Sequence, residues 1–324
     1  MRYIDNTSID PYFNLAAEEY LLKHTEEEYF SLWRDEPCII VGKNQNTLSE
    51  INTDYVKENN IKVVRRLTGG GAVFHDLGNI NFTFIVNDNH SYNDFYKFVK
   101  PIIEVLRQLG VEAEFSGRND MLIEGKKFSG NAQCKHKNRV MHHGTLLFSS
   151  NMADLSGALK PKAVKFSDKS VKSVASRVTN ISEHLPKALD VLEFKEAIFK
   201  YIIAEEGKQV EYFSKEEVEI INKLKEEKYS TWQWNYGKSP RYNFYNEKKF
   251  PAGTVEVTLQ VTSGCIENIK IYGDFFGKLD IHGLEEYLEG KPHNEEDIRK
   301  ALVDLDLDSY ITNITLDNFM EILF

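Results

Sequence analysis

The stretch Val63–Asn79, VVRRLTGGGAVFHDLGN, decides how the rest of this chain is read. Val63 and Val64 close a short apolar run of strand type, Arg65 and Arg66 follow, and Gly69, Gly70 and Gly71 strip the turn of side chains. Consecutive glycines let backbone N–H groups converge and let a ligand approach the main chain, while the arginines add fixed positive charge. That combination suits an anion. It is neither a P-loop nor a dinucleotide fingerprint, because Ala72-Val73-Phe74 follows where Gly-Lys-Ser/Thr or a further glycine would be needed. A bare triple glycine reads as a flexible turn. Arg65-Arg66 before it and His75-Asp76 after it favour a binding loop instead.

Outward from this turn, strand and helix patterns alternate. Asp10-Pro11 opens an amphipathic helix with proline at its first position. Tyr29–Trp33 and Cys38–Val41 read as strands, Thr53–Asn60 as a short helix, and Ile61–Val64 and Ile80–Val86 as strands on either side of the glycine turn. The spacing of Phe95, Phe98, Val99, Ile102, Val105, Leu106 and Leu109 predicts a helix over Asp94–Leu109 that contains Pro101 and stops at Gly110. Val111–Phe115, Met121–Glu124, Lys127–Gln133 and Val140–Phe148 read as further strands, and Leu185–Glu206 and Ser214–Glu227 as helices. Trp232, Trp234 and Tyr236 read as packing residues at alternate strand positions. From Val255 the pattern changes to a hairpin with Ser263-Gly264 at its turn, then helices at Leu284–Leu288, Asn294–Leu305 and Thr315–Leu323. The expected architecture is α+β: a large domain, 1–246, with a mixed or antiparallel sheet flanked by helices, and a small α+β domain, 247–324.

A second run carries chemistry: Gly117-Arg118-Asn119-Asp120, then Gly125-Lys126-Lys127-Phe128-Ser129-Gly130-Asn131-Ala132, then His142-His143-Gly144-Thr145-Leu146. The stretch RRLTGGGAVFHDLGN closely resembles the lipoate-binding loop of lipoate-protein ligases, relatives of biotin ligases and class II aminoacyl-tRNA synthetases. The order and spacing of the second run resemble the same family, and the likeness extends across nearly the whole chain. In that family a lysine before Phe/Val-Ser-Gly is the principal catalytic cation, and Lys127 stands there. The resemblance makes Arg66, Thr68, Gly69, Gly70, Gly71, His75, Asn79, Lys127 and His143 the candidate substrate and ATP contacts. Asp120 is expected to assist Lys127 or to hold Mg²⁺ on the phosphates.

The resemblance implies a two-step ligase that makes lipoyl-AMP from free lipoate and ATP, then gives the lipoyl group to a lysine of an acceptor. A carboxylate attacking the α-phosphate brings two anions together, and a desolvated ammonium offsets their repulsion. The implied acceptors are lipoyl domains of 2-oxo acid dehydrogenase complexes, on their E2 subunits, and the glycine-cleavage H protein. A region ending Ser176-Arg177-Val178-Thr179-Asn180 folds over the adenylate in the family, which makes Lys160–Asn180 a candidate closing loop. The competing reading is an acyltransferase of the same fold that uses a cysteine thioester and no ATP, with Cys134 as its thiol.

A hydrophobic content of 41% is ordinary for a soluble globular protein. A net charge of −10 argues against broad nucleic-acid binding, and no apolar run reaches membrane-spanning length. The basic segment 125–180 suits an anionic substrate or an acidic protein partner. Three scattered cysteines, Cys38, Cys134 and Cys265, read as reduced thiols. Cys134, His136, His142 and His143 do not match common zinc spacings. A cytoplasmic monomer is expected.

Overall fold

The computed structural model describes the chain except residues 46, 118, 160–176, 205–206, 237–243, 263–264 and 294. The described residues form two compact units. The first comprises Met1–Ile40, Leu48–Arg65 and Val73–Asn235; the second comprises Val41–Thr47, Arg66–Ala72 and Tyr236–Phe324.

In the first unit the strands are β1 (Arg2–Asp5), β2 (Tyr29–Trp33), β3 (Cys38–Val41), β4 (Lys62–Arg65), β5 (Val73–His75), β6 (Asn79–Val86), β7 (Glu114–Ser116), β8 (Asp120–Ile123), β9 (Lys126–His136), β10 (Arg139–Leu147) and β11 (Val210–Glu211). Eight of them form a sheet in the order β11-β1-β2-β6-β10-β9-β8-β7, and β4-β3-β5 form a second. The large sheet is mixed: β1 runs parallel to both neighbours, and the pairs from β2 to β7 are antiparallel. Its longest helices are α1 (Pro11–Lys23), α2 (Phe95–Gln108), α3 (Val191–Ile203) and α4 (Lys215–Leu224). Asp10 caps α1 by accepting from the Tyr12 N–H, with Pro11 where a missing N–H costs nothing. Asp94 caps α2 in the same way.

Strand alternation gives the large sheet two unlike faces. On one, Phe30, Leu32, Ile80, Phe82, Phe84, Val140 and Leu146 join Phe98, Val99, Ile102 and Leu106 of α2 and Phe194, Ile198 and Phe199 of α3 in one buried core. Each such side chain contributes about 1.5–3 kcal/mol on burial. His142 lies on this face, stacked on Phe98 and edge-on to Phe95. The other face presents Ser31, Trp33, Asn79, Asn81, Thr83, His143 and Thr145, and it is the face that matters below.

In the second unit β12 (Phe244–Phe250), β13 (Gly253–Thr262) and β14 (Cys265–Gly273) form an antiparallel sheet covered by α5 (Ile281–Leu288), α6 (Glu295–Leu302) and α7 (Leu316–Leu323). Val255, Val257, Leu259, Ile266, Ile269 and Ile271 point into its core. The α+β class stands. The differences are local: Val111–Phe115 is a strand only from Glu114, the helix expected from Leu185 starts at Val191, and Trp234 lies on a short helix, Trp232–Asn235. The causes are also local. Pro186 follows Leu185, the Asp190–Glu193 capping box fixes the start of α3, and the Trp234 indole N–H donates to the Arg65 carbonyl. The turn Ser263-Gly264 and residue Asn294 lie outside the described residues.

Candidate active site

On the polar face of the large sheet, Trp33, Asn81, Thr145, Gly130 and Asp120 stand side by side on five successive strands, each in register with the next. Burial singles out this row. Thr145 alone among the residues of β10 is not buried, Gly130 is half-buried between buried neighbours on β9, and Asp120 opens β8 half-buried. An opening over Thr145, Gly130 and Asp120 follows from that pattern.

Lys127 reaches into this opening. A Cβ built on Gly130 would stand 3.1 Å from Lys127 Nζ, so the ammonium rests over the bare α-carbon of Gly130. Its partner is Asp120 at 2.7 Å, with the two side chains 39% and 37% exposed. At that exposure an ion pair is worth about 1 kcal/mol or less. A substrate carboxylate or phosphate can therefore take over the ammonium at little cost. The backbone beside Lys127 is fixed: Val178 forms a parallel bridge with it, and the Thr179 N–H donates to its carbonyl at 3.0 Å. Thus Val178 and Thr179, at the end of the proposed closing loop, lie beside Lys127, while Lys160–Ser176 fall outside the described residues.

Two histidines serve the same face. His75 on β5 is buried, with Nδ1 2.8 Å from Asp35 and Nε2 2.9 Å from the Thr145 hydroxyl. Asp35 also accepts from Asn14 at 2.8 Å and from the Cys38 thiol, whose pKa burial and Asp35 push well above its ordinary value. Asp35, Cys38 and His75 come close enough to suggest metal ligands. Their contacts instead describe a hydrogen-bonded network centred on Asp35, which accepts from the Asn14 amide and the Cys38 thiol and lies against His75 Nδ1. His143 on β10 meets Glu18 of α1 at 2.9 Å, and Glu18 also accepts from Thr83, which in turn accepts from Trp33. The neighbouring His142 points to the opposite face, where burial among aromatic rings pushes its pKa well below the ordinary range. Asn79 is fully buried, donates to the Phe74 carbonyl and accepts from Ser150, so it fastens the chain after the glycine turn.

The glycine turn belongs to the second unit, and each of its glycines has a different reason to be one. A Cβ on Gly69 would meet the Phe275 carbonyl oxygen at 2.3 Å. Gly70 has φ +95°, which side chains rarely adopt. Gly71 has neither constraint, and nothing among the described residues lies within 4 Å of its Cβ position. Arg66 is buried beneath the turn, donating to Thr68 Oγ1 at 2.9 Å and to the carbonyls of Gly69 and Gly71 at 2.7 and 2.8 Å. Thr68 is fully buried. The arginine thus organises the loop from within.

Sequence reading did not single out Asp35, Glu18, Thr83 or Asn81. Asp35 sits in what reads as an ordinary turn, Arg34-Asp35-Glu36-Pro37, and the others carry no spacing signal, because registers between distant strands bring them together. Cys134, the candidate thioester residue, pairs with Met141 and lies four residues along β9 from Gly130, roughly 13 Å at strand rise. Asp120 offers one accessible carboxylate, which fits Mg²⁺, an ion commonly held by one or two carboxylates, water and substrate phosphates.

Residues 10–203 match the family described as Lipoyl protein ligase A/B catalytic domain, and residues 239–323 match Bacterial lipoate protein ligase C-terminus. The chain is 46% identical to lipoate-protein ligase LplJ of Bacillus subtilis (strain 168), over all of both chains. It superposes on the crystal structure of P. falciparum LipL1 in complex with lipoate with a TM-score of 0.77 at 30% identity, covering 99% of this chain and 97% of that one. A lipoate-protein ligase A bound with ATP gives a TM-score of 0.63 at 25% identity, over 73% and 98%. The register row with its lysine and these likenesses lead to one conclusion: this chain belongs to the lipoate-protein ligase family.

Proposed function

We propose that this chain activates free lipoate with ATP, forming lipoyl-AMP and pyrophosphate, and then transfers the lipoyl group to a lysine of a lipoyl-domain protein. The carrying observation is the Lys127 ammonium seated over Gly130 in a half-open row, bonded to Asp120 by an exchangeable ion pair. In the first step an oxygen of the lipoate carboxylate bonds to the α-phosphorus and pyrophosphate leaves. Lys127 offsets the repulsion between the two anions and the charge that gathers between them. Lysine suits this because its compact charge can follow the reacting oxygens from carboxylate to phosphate. Asp120 orients Lys127, and it is the residue that would hold Mg²⁺, whose chemistry here is to neutralise phosphate charge. Gly71, Gly70, Gly69, Arg66 and Thr68 form the proposed anion-receiving loop. His75, Asn79 and His143 shape the acyl and nucleotide surroundings.

In the second step the acceptor's amine bonds to the acyl carbon and AMP leaves. The proposed acceptors are the lipoyl domains of 2-oxo acid dehydrogenase complexes and the glycine-cleavage H protein, drawn by the basic character of the sequence segment 125–180. The proposed domains are 1–246, catalytic, and 247–324, accessory, in a cytoplasmic monomer; no described helix is long and apolar enough to cross a membrane. The test is pyrophosphate release on mixing enzyme, lipoate and ATP before any acceptor is added. A stoichiometric burst is expected. No release without acceptor, or a Cys134→Ala variant that loses transfer, would favour the thioester route instead.

A further inference from the structure

The second step poses a problem that Lys127 does not solve: an acceptor lysine is an ammonium at neutral pH and must lose a proton before its nitrogen can attack. Resting on the proposed ligase activity, we propose that Thr145 and His75, backed by Asp35, form the base that removes that proton. Thr145 is the half-buried residue of β10, in register with Gly130, over which the Lys127 ammonium lies. Residues so paired have Cα atoms roughly 5 Å apart, which puts the Thr145 hydroxyl beside a carbonyl polarised by Lys127.

The hydrogen bonds give the network a direction. Asp35 receives the Asn14 amide and the Cys38 thiol, which can only donate to it, so it acts as acceptor towards His75 as well. The proton of His75 is then on Nδ1, and Nε2 is left to accept from the Thr145 hydroxyl at 2.9 Å. A second observation points to a missing donor. Asn81, next in the row and almost fully buried, has its Oδ1 without a hydrogen-bond partner among the described residues. A buried acceptor left so is costly, and an incoming N–H would satisfy it. Among the described residues, the groups facing His75 are Asp35, Cys38, Asn81, the Trp33 ring and Thr145. No cation stands among them.

The step balances as follows. One proton of the ammonium passes to Thr145 Oγ1 as the threonine's own proton moves to His75 Nε2, while a remaining N–H points to Asn81. The freed lone pair forms the C–N bond to the acyl carbon. The bond from that carbon to the phosphate oxygen breaks, AMP leaves with its electron pair, and the nitrogen's second proton passes to the departing phosphate, so that the amide keeps one N–H. The imidazolium stands against the Asp35 carboxylate until it returns its proton to water. His75 and Thr145 are thus catalytic residues of the transfer step, and Asp35 is a positioning residue.

The test compares two acceptors on the same enzyme-bound lipoyl-AMP in single turnover: a lipoyl-domain protein, whose lysine needs a base, and hydroxylamine, which is unprotonated at neutral pH and does not. In His75→Gln and Thr145→Val the rate of lysine transfer should fall about a hundredfold relative to hydroxamate formation, the scale of general-base loss. Thr145→Ser should restore it, and Asp35→Asn should lower the same ratio. Parallel loss of both rates would make these residues merely structural and overturn the inference, as would an unchanged ratio. Failure of the unsubstituted enzyme to form the adenylate would overturn the ligase reading, and this inference with it.

Discussion

The three glycines of the turn behave as three different residues, and substitution separates them. Gly69→Ala forces a Cβ to within 2.3 Å of the Phe275 carbonyl oxygen, so the backbone must move. Destabilisation of about 1–3 kcal/mol in a urea titration is expected, the usual scale for overpacking. Gly71→Ala meets no atom of the described residues within 4 Å, so its stability should stay within about 0.5 kcal/mol of the parent. Because that space is proposed to admit substrate, KM for lipoate or ATP should rise; unchanged kinetics would remove Gly71 from the site. Cys38 gives a second contrast. Burial and Asp35 push its thiol well above the ordinary range, so iodoacetamide at neutral pH should leave Cys38 unmodified in the native enzyme. Labelling of Cys38 without denaturant, located by mass spectrometry, would contradict the described network.

At the scale of elements, helix α1 is tied down by Glu19, which meets Lys228 at 2.7 Å, Tyr229 at 2.6 Å and Lys23 at 2.9 Å. Burial opposes its ionisation, but these donors outweigh burial and bring its pKa from 4.5 down to about 2. A carboxylate depressed in this way stabilises the fold above its unfolded value and loses that contribution as pH falls. On strand β10, His142 titrates in the same direction for a different reason: it is held neutral by burial, so protonation of the unfolded chain below 6.5 favours unfolding. Urea midpoints should therefore decline below about pH 6.5 through His142, and between 4.5 and about 2 through Glu19, which contributes ~2–3 kcal/mol when ionised. Glu19→Gln should flatten the lower limb; an unaltered acid profile would show the cluster to be inert. Elements of this kind were partly legible in the sequence. Asp10-Pro11 and Asp94 announce their helices because capping is local, and β2 and β3 are apolar runs bounded by turn residues. Strand β1 and the edge strand β11 escaped because they are only four and two residues long, and nothing in Arg2–Asp5 distinguishes a short parallel strand from a tail.

For the whole molecule, what sequence could reach was the set of motifs, and what it could not reach was their registration. Lys127, Asp120, His75 and Thr145 stand in stretches that resemble a family, but only the ladder from β2 to β8 puts Thr145 beside Gly130 and Gly130 beside Asp120. A slip of one residue in any of those pairings would send the row to the apolar face. The same argument explains Asp35 and Glu18: each is one acidic residue among many until β5 and β10 carry a histidine to it. The central claim remains that the Lys127 ammonium joins carboxylate and phosphate during activation. Its most direct test is pyrophosphate release by Lys127→Ala on mixing with lipoate and ATP, alongside lipoate binding by calorimetry. Release slower by about 10²–10³-fold, the scale of losing one charge-stabilising donor, with lipoate still bound, is the expected result. Release at the parent rate would contradict it.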